Sequence, residues 1–133
     1  LIMYCLDTDV LIDYLRGDEK TIDKLSQLYT HGVGLFTTFI NLCELYRGVY
    51  SSKNKDKEEA DINTLTYTIK PLEMDQRSCI FFGKERSRLE KLGKPTQILD
   101  LMIASVAVVN NLALLTRNKK HYENIGGLKV EAL

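Results

Sequence analysis

Residues 2–17 read Ile2-Met3-Tyr4-Cys5-Leu6-Asp7-Thr8-Asp9-Val10-Leu11-Ile12-Asp13-Tyr14-Leu15-Arg16-Gly17, an apolar run followed by an acidic residue and a helical segment. The apolar run at 2–6 predicts a buried strand. Residues 8–16 predict a helix, with Thr8 or Asp9 able to cap its start and Gly17 able to end it. The stretch therefore predicts a buried strand whose carboxyl end carries Asp7.

Strand and helix signals alternate along the rest of the chain. Further strands are predicted at 32–37, 68–72 and 112–116, with a short last one at 128–130. Helices are predicted at 18–30, after residue 37, up to about residue 65, at 75–92 and at 97–110. This alternation favours a parallel sheet covered on both faces. We therefore expect an α/β fold in three layers, with a central parallel sheet of 4–5 strands.

Length and composition limit the classes of protein that this chain can belong to. The 133 residues suit a single domain over 1–133. Lys plus Arg and Asp plus Glu both number 18, which argues against a broad basic surface but allows a local basic patch. The three cysteines, an odd number without a Cys-x-x-Cys pair, argue against a disulfide scaffold, and Cys5 and Cys43 are predicted to be buried. We find no membrane span and no signal peptide, and expect a cytoplasmic protein.

Four polar residues lie where parallel sheets bind ligands. Asp7 follows the first strand, Glu44 lies early in the helix after the second, and Asn118 follows the strand at 112–116. Because the carboxyl ends of parallel strands meet at one edge of a sheet, we expect these side chains to lie there together. Asp100 lies inside a nearly all-apolar helix and is expected to be buried beside a cation, because an isolated buried carboxylate is costly.

The chemistry of these residues favours a divalent metal. Clustered carboxylates repel one another and raise their own pKa values, and a divalent cation reverses that penalty. Oxygen ligands from Asp, Glu and Asn suit Mg²⁺ or Mn²⁺ better than zinc. Such a metal can polarise a phosphoryl oxygen and lower the pKa of a bound water. The residues alone therefore predict metal-assisted hydrolysis of a phosphoester.

Four stretches together resemble the motifs of PIN-domain ribonucleases of the VapC toxin type. They are residues 6–17, 37–48, 93–105 and 114–122, and they occur in the right order over the whole chain. The resemblance implies a PIN-like α/β/α fold and Mg²⁺- or Mn²⁺-dependent cleavage of RNA. It also implies a homodimer and a cognate VapB-like antitoxin, which we expect to insert a basic side chain into the acidic site.

The resemblance also assigns roles to individual residues. Asp7, Glu44 and Asp100 would form the acidic triad that holds the metal. Many family members have Asp at the fourth position, where this chain has Asn118. Asn118 can ligate through its carbonyl or orient a water, but it adds no charge. Asp9 replaces a common Asn and would act as a helix cap or as an outer contact of the metal ligands.

Several residues near the expected site are candidates for contacts with RNA. They are Thr116, Arg117, Lys119, Arg16 and Arg47. Thr116 could contact a metal-bound water or substrate, or merely end its strand. His121 is expected to pack on the turn beside Tyr122 rather than to act as a base, since the metal already activates water. A second basic cluster, at residues 84–94, is expected to be mostly a solvated helix face.

Two other functions remain open at this stage. Asp7-Thr8-Asp9-Val10 approaches the Asp-x-Asp opening of haloacid-dehalogenase-type phosphatases, in which Asp7 would be a nucleophile. Leu11 and the run Asn118-Lys119-Lys120 do not fit that pattern. The other alternative is a PIN-like domain that binds RNA or protein without cutting, which the missing fourth acid keeps open.

Overall fold

The computed structural model describes residues 2–133 and has a five-stranded sheet at its centre. The strands are β1 (Tyr4–Leu6), β2 (Leu35–Thr38), β3 (Lys70–Leu72), β4 (Ala113–Thr116) and β5 (Val130–Ala132). Their order is β3-β2-β1-β4-β5, and every neighbouring pair is parallel. The predicted α/β class and the parallel sheet of 4–5 strands are confirmed. The first strand of the chain lies in the middle of the sheet.

Helices cover both faces of the sheet. They are α1 (Thr8–Leu15), α2 (Glu19–Thr30), α3 (Phe39–Tyr50), α4 (Lys55–Thr68), α5 (Gln76–Lys91) and α6 (Ile98–Val109), with a 3-10 helix at Lys119–Tyr122. Alternate residues of β1 enter different cores because side chains along a strand point to opposite faces. Tyr4 and Leu6 join the core under α1–α4, whereas Cys5 joins the core under α5 and α6. The expected three-layer arrangement is therefore present.

The connection from β1 to α1 differs from the prediction at the helix cap. Asp7, and neither Thr8 nor Asp9, is the N-cap, and its Oδ1 accepts a hydrogen bond from the Thr8 backbone N–H at 2.9 Å. Thr8 and Asp9 already belong to the helix because only one residue separates the strand from its first turn. The cap therefore fixes Asp7 at the carboxyl end of the central strand.

Two further predictions were wrong for local reasons. Strand β2 begins at Leu35 rather than at residue 32, because Gly32 ends α2 in a left-handed conformation with φ of +75°. Cys43 is exposed, because the inward stripe of α3 runs through Leu42, Leu45 and Val49 and Cys43 lies beside it. Within residues 2–133, no helix combines the length and apolar character needed to cross a bilayer.

Candidate active site

Asp7 is the centre of a hydrogen-bonded cluster at the carboxyl edge of the sheet. Only 7% of Asp7 is exposed. Its Oδ1 accepts from the Thr8 backbone at 2.9 Å and from Asn41 Nδ2 at 3.3 Å. Its Oδ2 accepts from Thr116 Oγ1 at 2.8 Å and from Tyr122 OH at 2.9 Å. The donors come from α1, α3, β4 and the 3-10 helix, so Asp7 ties four elements together, and all four donors are uncharged.

Glu44 joins this cluster through α1. Its Oε1 accepts from Thr8 Oγ1 at 2.5 Å, and Thr8 Oγ1 accepts in turn from Asn41 Nδ2 at 2.9 Å. Asn41 is held by a capping box with Thr38, in which each side chain bonds the other residue's backbone N–H at 3.2 Å. Sequence reasoning did not assign Asn41 a role. The signal for it was the Thr-x-x-Asn spacing at the start of a predicted helix.

Asp100 lies in the first turn of α6, not in the buried middle of the helix. Its side chain is 16% exposed, so Asp100 is partly buried rather than buried as we expected. The helix begins only two residues earlier, and Ile98 and Leu99 are about half exposed. Tyr122 OH donates to Asp100 Oδ1 at 3.3 Å, and His121 Nδ1 lies 3.6 Å from Asp100 Oδ2. His121 is therefore exposed and faces Asp100, rather than packing on the turn as we expected.

Asn118 is hydrogen-bonded to Asp9 at the edge of the Asp7 cluster. Asn118 Nδ2 donates to Asp9 Oδ2 at 3.1 Å, and the backbone N–H of Arg117 donates to the same oxygen at 3.1 Å. The backbone N–H of Asn118 donates to Thr116 Oγ1 at 3.1 Å. The structure thus brings Asn118 to the sheet edge that carries Asp7, with its side-chain amide directed at a carboxylate.

The candidate RNA-binding residues fall into different surroundings. Arg117 pairs with Asp13 and, at 3.4 Å, with Asp18, and its Nη2 donates to Thr21 Oγ1 at 2.8 Å. These bonds direct its guanidinium towards α1 and α2. Arg16 is exposed and lines, together with Glu44, a cleft of about 510 Å³ between α1, α3 and α4.

The remaining candidates are also accounted for. Arg47 is exposed on α3, one turn after Glu44, and Lys119 is exposed in the 3-10 helix. Thr116 is fully buried, and its hydroxyl is directed at Asp7. Of the proposed RNA contacts, Arg16 therefore lies in an open cleft beside a triad residue, whereas Thr116 is enclosed within the acidic cluster.

Three carboxylates around Asp7 have raised pKa values. Burial raises the pKa of Glu44, and repulsion from Asp7 and Asp100 raises it further. Burial and then the charge on Asp7 also raise the pKa values of Asp9 and Asp100. Within residues 2–133, no Lys or Arg side chain forms an ion pair with Asp7, Asp9, Glu44 or Asp100. Their negative charge is left without a bonded arginine or lysine.

The donor set suits a hard divalent cation in its chemistry. Carboxylate oxygens without a bonded arginine or lysine are the ligands that Mg²⁺ and Mn²⁺ prefer. In the part of the chain described, however, no three acidic, histidine or cysteine side chains already stand close enough to form a ligand cage. The Thr8 hydroxyl donates a hydrogen bond to Glu44, and the Tyr122 hydroxyl donates one to Asp100. A cation would therefore have to replace some of these hydrogen bonds.

Comparison with known proteins identifies the family. Residues 4–127 match the PIN domain, and the chain belongs to the PIN-domain family. It is 32% identical over 128 residues to Ribonuclease VapC1 of Haemophilus influenzae (strain R2866), covering 96% of this chain and 95% of that protein. It is 25% identical over 131 residues to the tRNA(fMet)-specific endonuclease VapC of Shigella flexneri, covering 98% of both. The resemblance to VapC-type PIN-domain proteins is confirmed.

Solved structures give the same result for the fold. VapBC2 from Rickettsia felis, bound to a DNA fragment from its promoter, superimposes with a TM-score of 0.92 and 25% identity over 99% of both chains. VapBC-1 from nontypeable Haemophilus influenzae superimposes with a TM-score of 0.88 and 29% identity over 98% of both chains. The PIN-domain match leaves the haloacid-dehalogenase-type phosphatase without support.

Proposed function

We propose that this protein is an endoribonuclease that hydrolyses RNA phosphodiester bonds and acts as the toxin of a VapBC-type toxin–antitoxin system. Its PIN-domain membership and its full-length similarity to ribonucleases named VapC support this function. The observation that carries the proposal is the surroundings of Asp7. Asp7 is joined through Thr8 to Glu44 and through Tyr122 to Asp100, so three separate parts of the chain meet in one acidic cluster.

We further propose that Asp7, Glu44 and Asp100 hold Mg²⁺ or Mn²⁺. When bound, the metal supplies the Lewis acidity that polarises the scissile phosphate and activates water. The protein fixes the ligands: Thr116 and Asn41 orient the Asp7 carboxylate from opposite ends, and Asn118 lies beside it. Among residues 2–133, no Lys or Arg side chain is paired with these carboxylates, so the site attracts cations.

The geometry also suggests how RNA reaches the site. Arg16 and Glu44 line the same cleft, so a phosphate held by Arg16 would lie close to the acidic cluster. Arg47, one turn after Glu44, would add a second contact from α3. Arg117 contributes less to this proposal, because its guanidinium is bound to Asp13 and Asp18.

The proposed function includes its partners and its compartment. We propose a VapB-like antitoxin that inserts a basic side chain among the carboxylates, which have no lysine or arginine partner within the described part of the chain. We also propose a homodimer, and a cytoplasmic location because the three cysteines, Cys5, Cys43 and Cys79, are all free thiols. The VapBC structures whose folds are similar to that of this chain support the partnership.

A cleavage assay tests the activity. The purified protein is mixed with a pool of end-labelled RNA in Mn²⁺, Mg²⁺ or EDTA, beside Asp100→Asn. We expect metal-dependent cutting that the substitution reduces more than about a hundredfold, a larger loss than removal of an outer hydrogen bond. Asp75→Asn is the matched control, because Asp75 caps α5 outside the cluster and asparagine can keep that cap.

A second candidate function is a PIN-like domain that binds RNA or protein without cutting. The observation favouring it is the uncharged Asn118 at the fourth position, together with the lack of a preassembled ligand cage among residues 2–133. RNA binding by the wild type without cutting, at protein concentrations well above the RNA and with either metal, would favour this function.

A further inference from the structure

We propose that Asp9 supplies the fourth carboxylate of the acidic site and that Asn118 is the residue that positions it. This inference rests on the proposed metal-dependent function and changes the role expected for Asn118. The two residues are 109 positions apart in the chain, yet their side chains are hydrogen-bonded at 3.1 Å. Because Asn118 directs its NH₂ group at Asp9, the pair presents its negative charge from α1 rather than from the end of β4.

Asp9 lies next to the central acid of the site. Thr116 Oγ1 is 2.8 Å from Asp7 Oδ2 and 3.4 Å from Asp9 Oδ2, so a single hydroxyl separates the two carboxylates. The other Asp9 oxygen accepts from the Val10 backbone N–H at 2.7 Å. Asp9 is thus held by backbone and side-chain donors at the edge of the cluster, half-buried beside Asp7.

The nearest arginine does not neutralise Asp9. Arg117 touches Asp9 only through its backbone N–H, while its guanidinium pairs with Asp13 and Asp18. In the part of the chain described, Asp9 forms no ion pair. A half-buried carboxylate next to a second carboxylate is unfavourable unless a cation compensates the pair.

If the Asn118–Asp9 hydrogen bond served only to connect α1 to the turn after β4, the negative charge of Asp9 would not be needed. An asparagine at position 9 could accept the same hydrogen bonds from Asn118 and from the Arg117 backbone, and would give up the one from the Val10 backbone N–H. The charge is therefore the property to test, and the chain offers a reciprocal exchange. In Asp9→Asn/Asn118→Asp, the hydrogen bond can reverse its direction, and the carboxylate moves by about the length of that bond.

The experiment measures Mn²⁺ binding to the purified full chain by titration calorimetry, with thermal unfolding in EDTA as a check of folding. We expect Asp9→Asn to weaken Mn²⁺ binding by about tenfold, the lower end of what outer contacts of a metal contribute. The reciprocal double variant should recover most of that loss. Unchanged Mn²⁺ affinity in a folded Asp9→Asn would overturn the inference.

Asp13→Asn is the matched control. It removes a carboxylate from the same helix, but one that pairs with Arg117 rather than bordering Asp7, so Mn²⁺ affinity should stay the same. Should Asp9→Asn not fold, the double variant decides: recovered affinity supports the inference, and a folded double variant with weak binding contradicts it. A folded wild type that takes up no Mn²⁺ would remove the proposed metal-dependent function itself, whereas equal binding by wild type and Asp9→Asn would remove only this inference.

Discussion

Tyr122 donates its buried hydroxyl to Asp7 Oδ2 at 2.9 Å, and this hydroxyl oxygen of Tyr122 also lies 3.3 Å from Asp100 Oδ1. A phenol has a single proton, so it can serve only one of the two carboxylates at a time. Burial and the two nearby charges raise the pKa of Tyr122, which keeps the hydroxyl protonated. Tyr122 therefore couples a carboxylate at the end of β1 to one at the start of α6.

Tyr122→Phe tests the hydroxyl of Tyr122 without removing the ring that packs in the core. The ring stays in place, while Asp7 and Asp100 lose a shared donor. We expect the metal-free protein to lose about 1 kcal/mol of unfolding free energy and cleavage to fall by roughly tenfold. Urea denaturation in EDTA and the RNA cleavage assay measure the two effects.

Tyr4→Phe is the control for Tyr122→Phe. It removes a hydroxyl that donates to Glu131 Oε2 at 2.6 Å, away from the acidic cluster. A similar loss of stability with unchanged cleavage is expected for this variant. Equal cleavage by Tyr122→Phe and the wild type would contradict a positioning role for the Tyr122 hydroxyl.

Neutralising Glu44 or Asp100 should stabilise the metal-free protein while abolishing cleavage. The folded-state pKa values of both groups lie above their ordinary values of 4.5 and 3.8. The folded chain therefore binds more protons than the unfolded chain as pH rises past those values, and its unfolding free energy falls through that window. At pH 7 the repulsion is present in full. Glu44→Gln and Asp100→Asn keep the hydrogen-bond acceptors and remove the charge.

Chemical denaturation in EDTA between pH 4 and pH 7 checks this prediction. The stability advantage of each variant over the wild type should grow with rising pH and be largest at pH 7. Thr8 and Tyr122 can still donate to the new amide oxygens, so loss of a hydrogen bond should not mask the effect. Variants that are less stable than the wild type at pH 7 would show that the site is not electrostatically strained.

Glu85 should be one of the main acid-sensitive residues outside the site. It accepts from Arg88 Nε at 2.7 Å and Nη2 at 2.6 Å, and from the Gly126 backbone at 2.5 Å. These bonds tie α5 to the segment that follows Tyr122. Hydrogen bonds from Arg88 hold the pKa of Glu85 below its ordinary value of 4.5. Its stabilisation is therefore present above that value and is lost as pH falls through the folded-state pKa.

Glu85→Ala should lower the unfolding free energy at pH 7 by about 2 kcal/mol, because Gly126 and Arg88 lose a charged acceptor. The loss should shrink towards pH 3, where the wild type has also lost part of this stabilisation. Glu90→Ala is the control on the same helix, since Glu90 forms an exposed pair with Arg86 and should contribute less than about 1 kcal/mol. An equal effect of both substitutions in urea denaturation would contradict a special contribution of the Glu85 hydrogen bonds to stability.

Local patterns in the sequence predicted the positions of strands and helices better than they predicted strand order or the burial of individual side chains. The apolar runs before Asp7 and at 112–116 predicted the two central strands, because few segments of that length can be buried in another way. The strand order could not be derived, since hydrophobic periodicity carries no information on which strands pair. Burial of Asp100 was misjudged for a similar reason: exposed Ile98 and Leu99 look identical to core residues in a sequence.

The long-range polar contacts could not be predicted from the sequence either. The hydrogen bond from Asn118 to Asp9 joins residues whose individual patterns indicated a turn and a helix start, and only the fold brings them together. The same holds for Arg117, which looked like a free basic residue beside the site but pairs with acids on and next to α1. Motif resemblance placed Glu44 in the site, whereas helical periodicity alone would have assigned it to solvent.

Substitution of Arg16 and substitution of Arg117 should have different effects on RNA binding. The sequence places both arginines near the expected site, but only Arg16 lines the same cleft as Glu44. In an Asp100→Asn background, which we expect to prevent cutting, Arg16→Ala should weaken binding of single-stranded RNA. It should also reduce the slope of log affinity against log salt by about 0.7, the value for one phosphate contact. Arg117→Ala should leave that slope unchanged and instead lower Tm, because Asp13 and Asp18 lose their partner.

Fluorescence anisotropy at several salt concentrations measures the slopes. A reduced slope in Arg117→Ala alone would place the RNA along α2 rather than in the cleft beside Glu44.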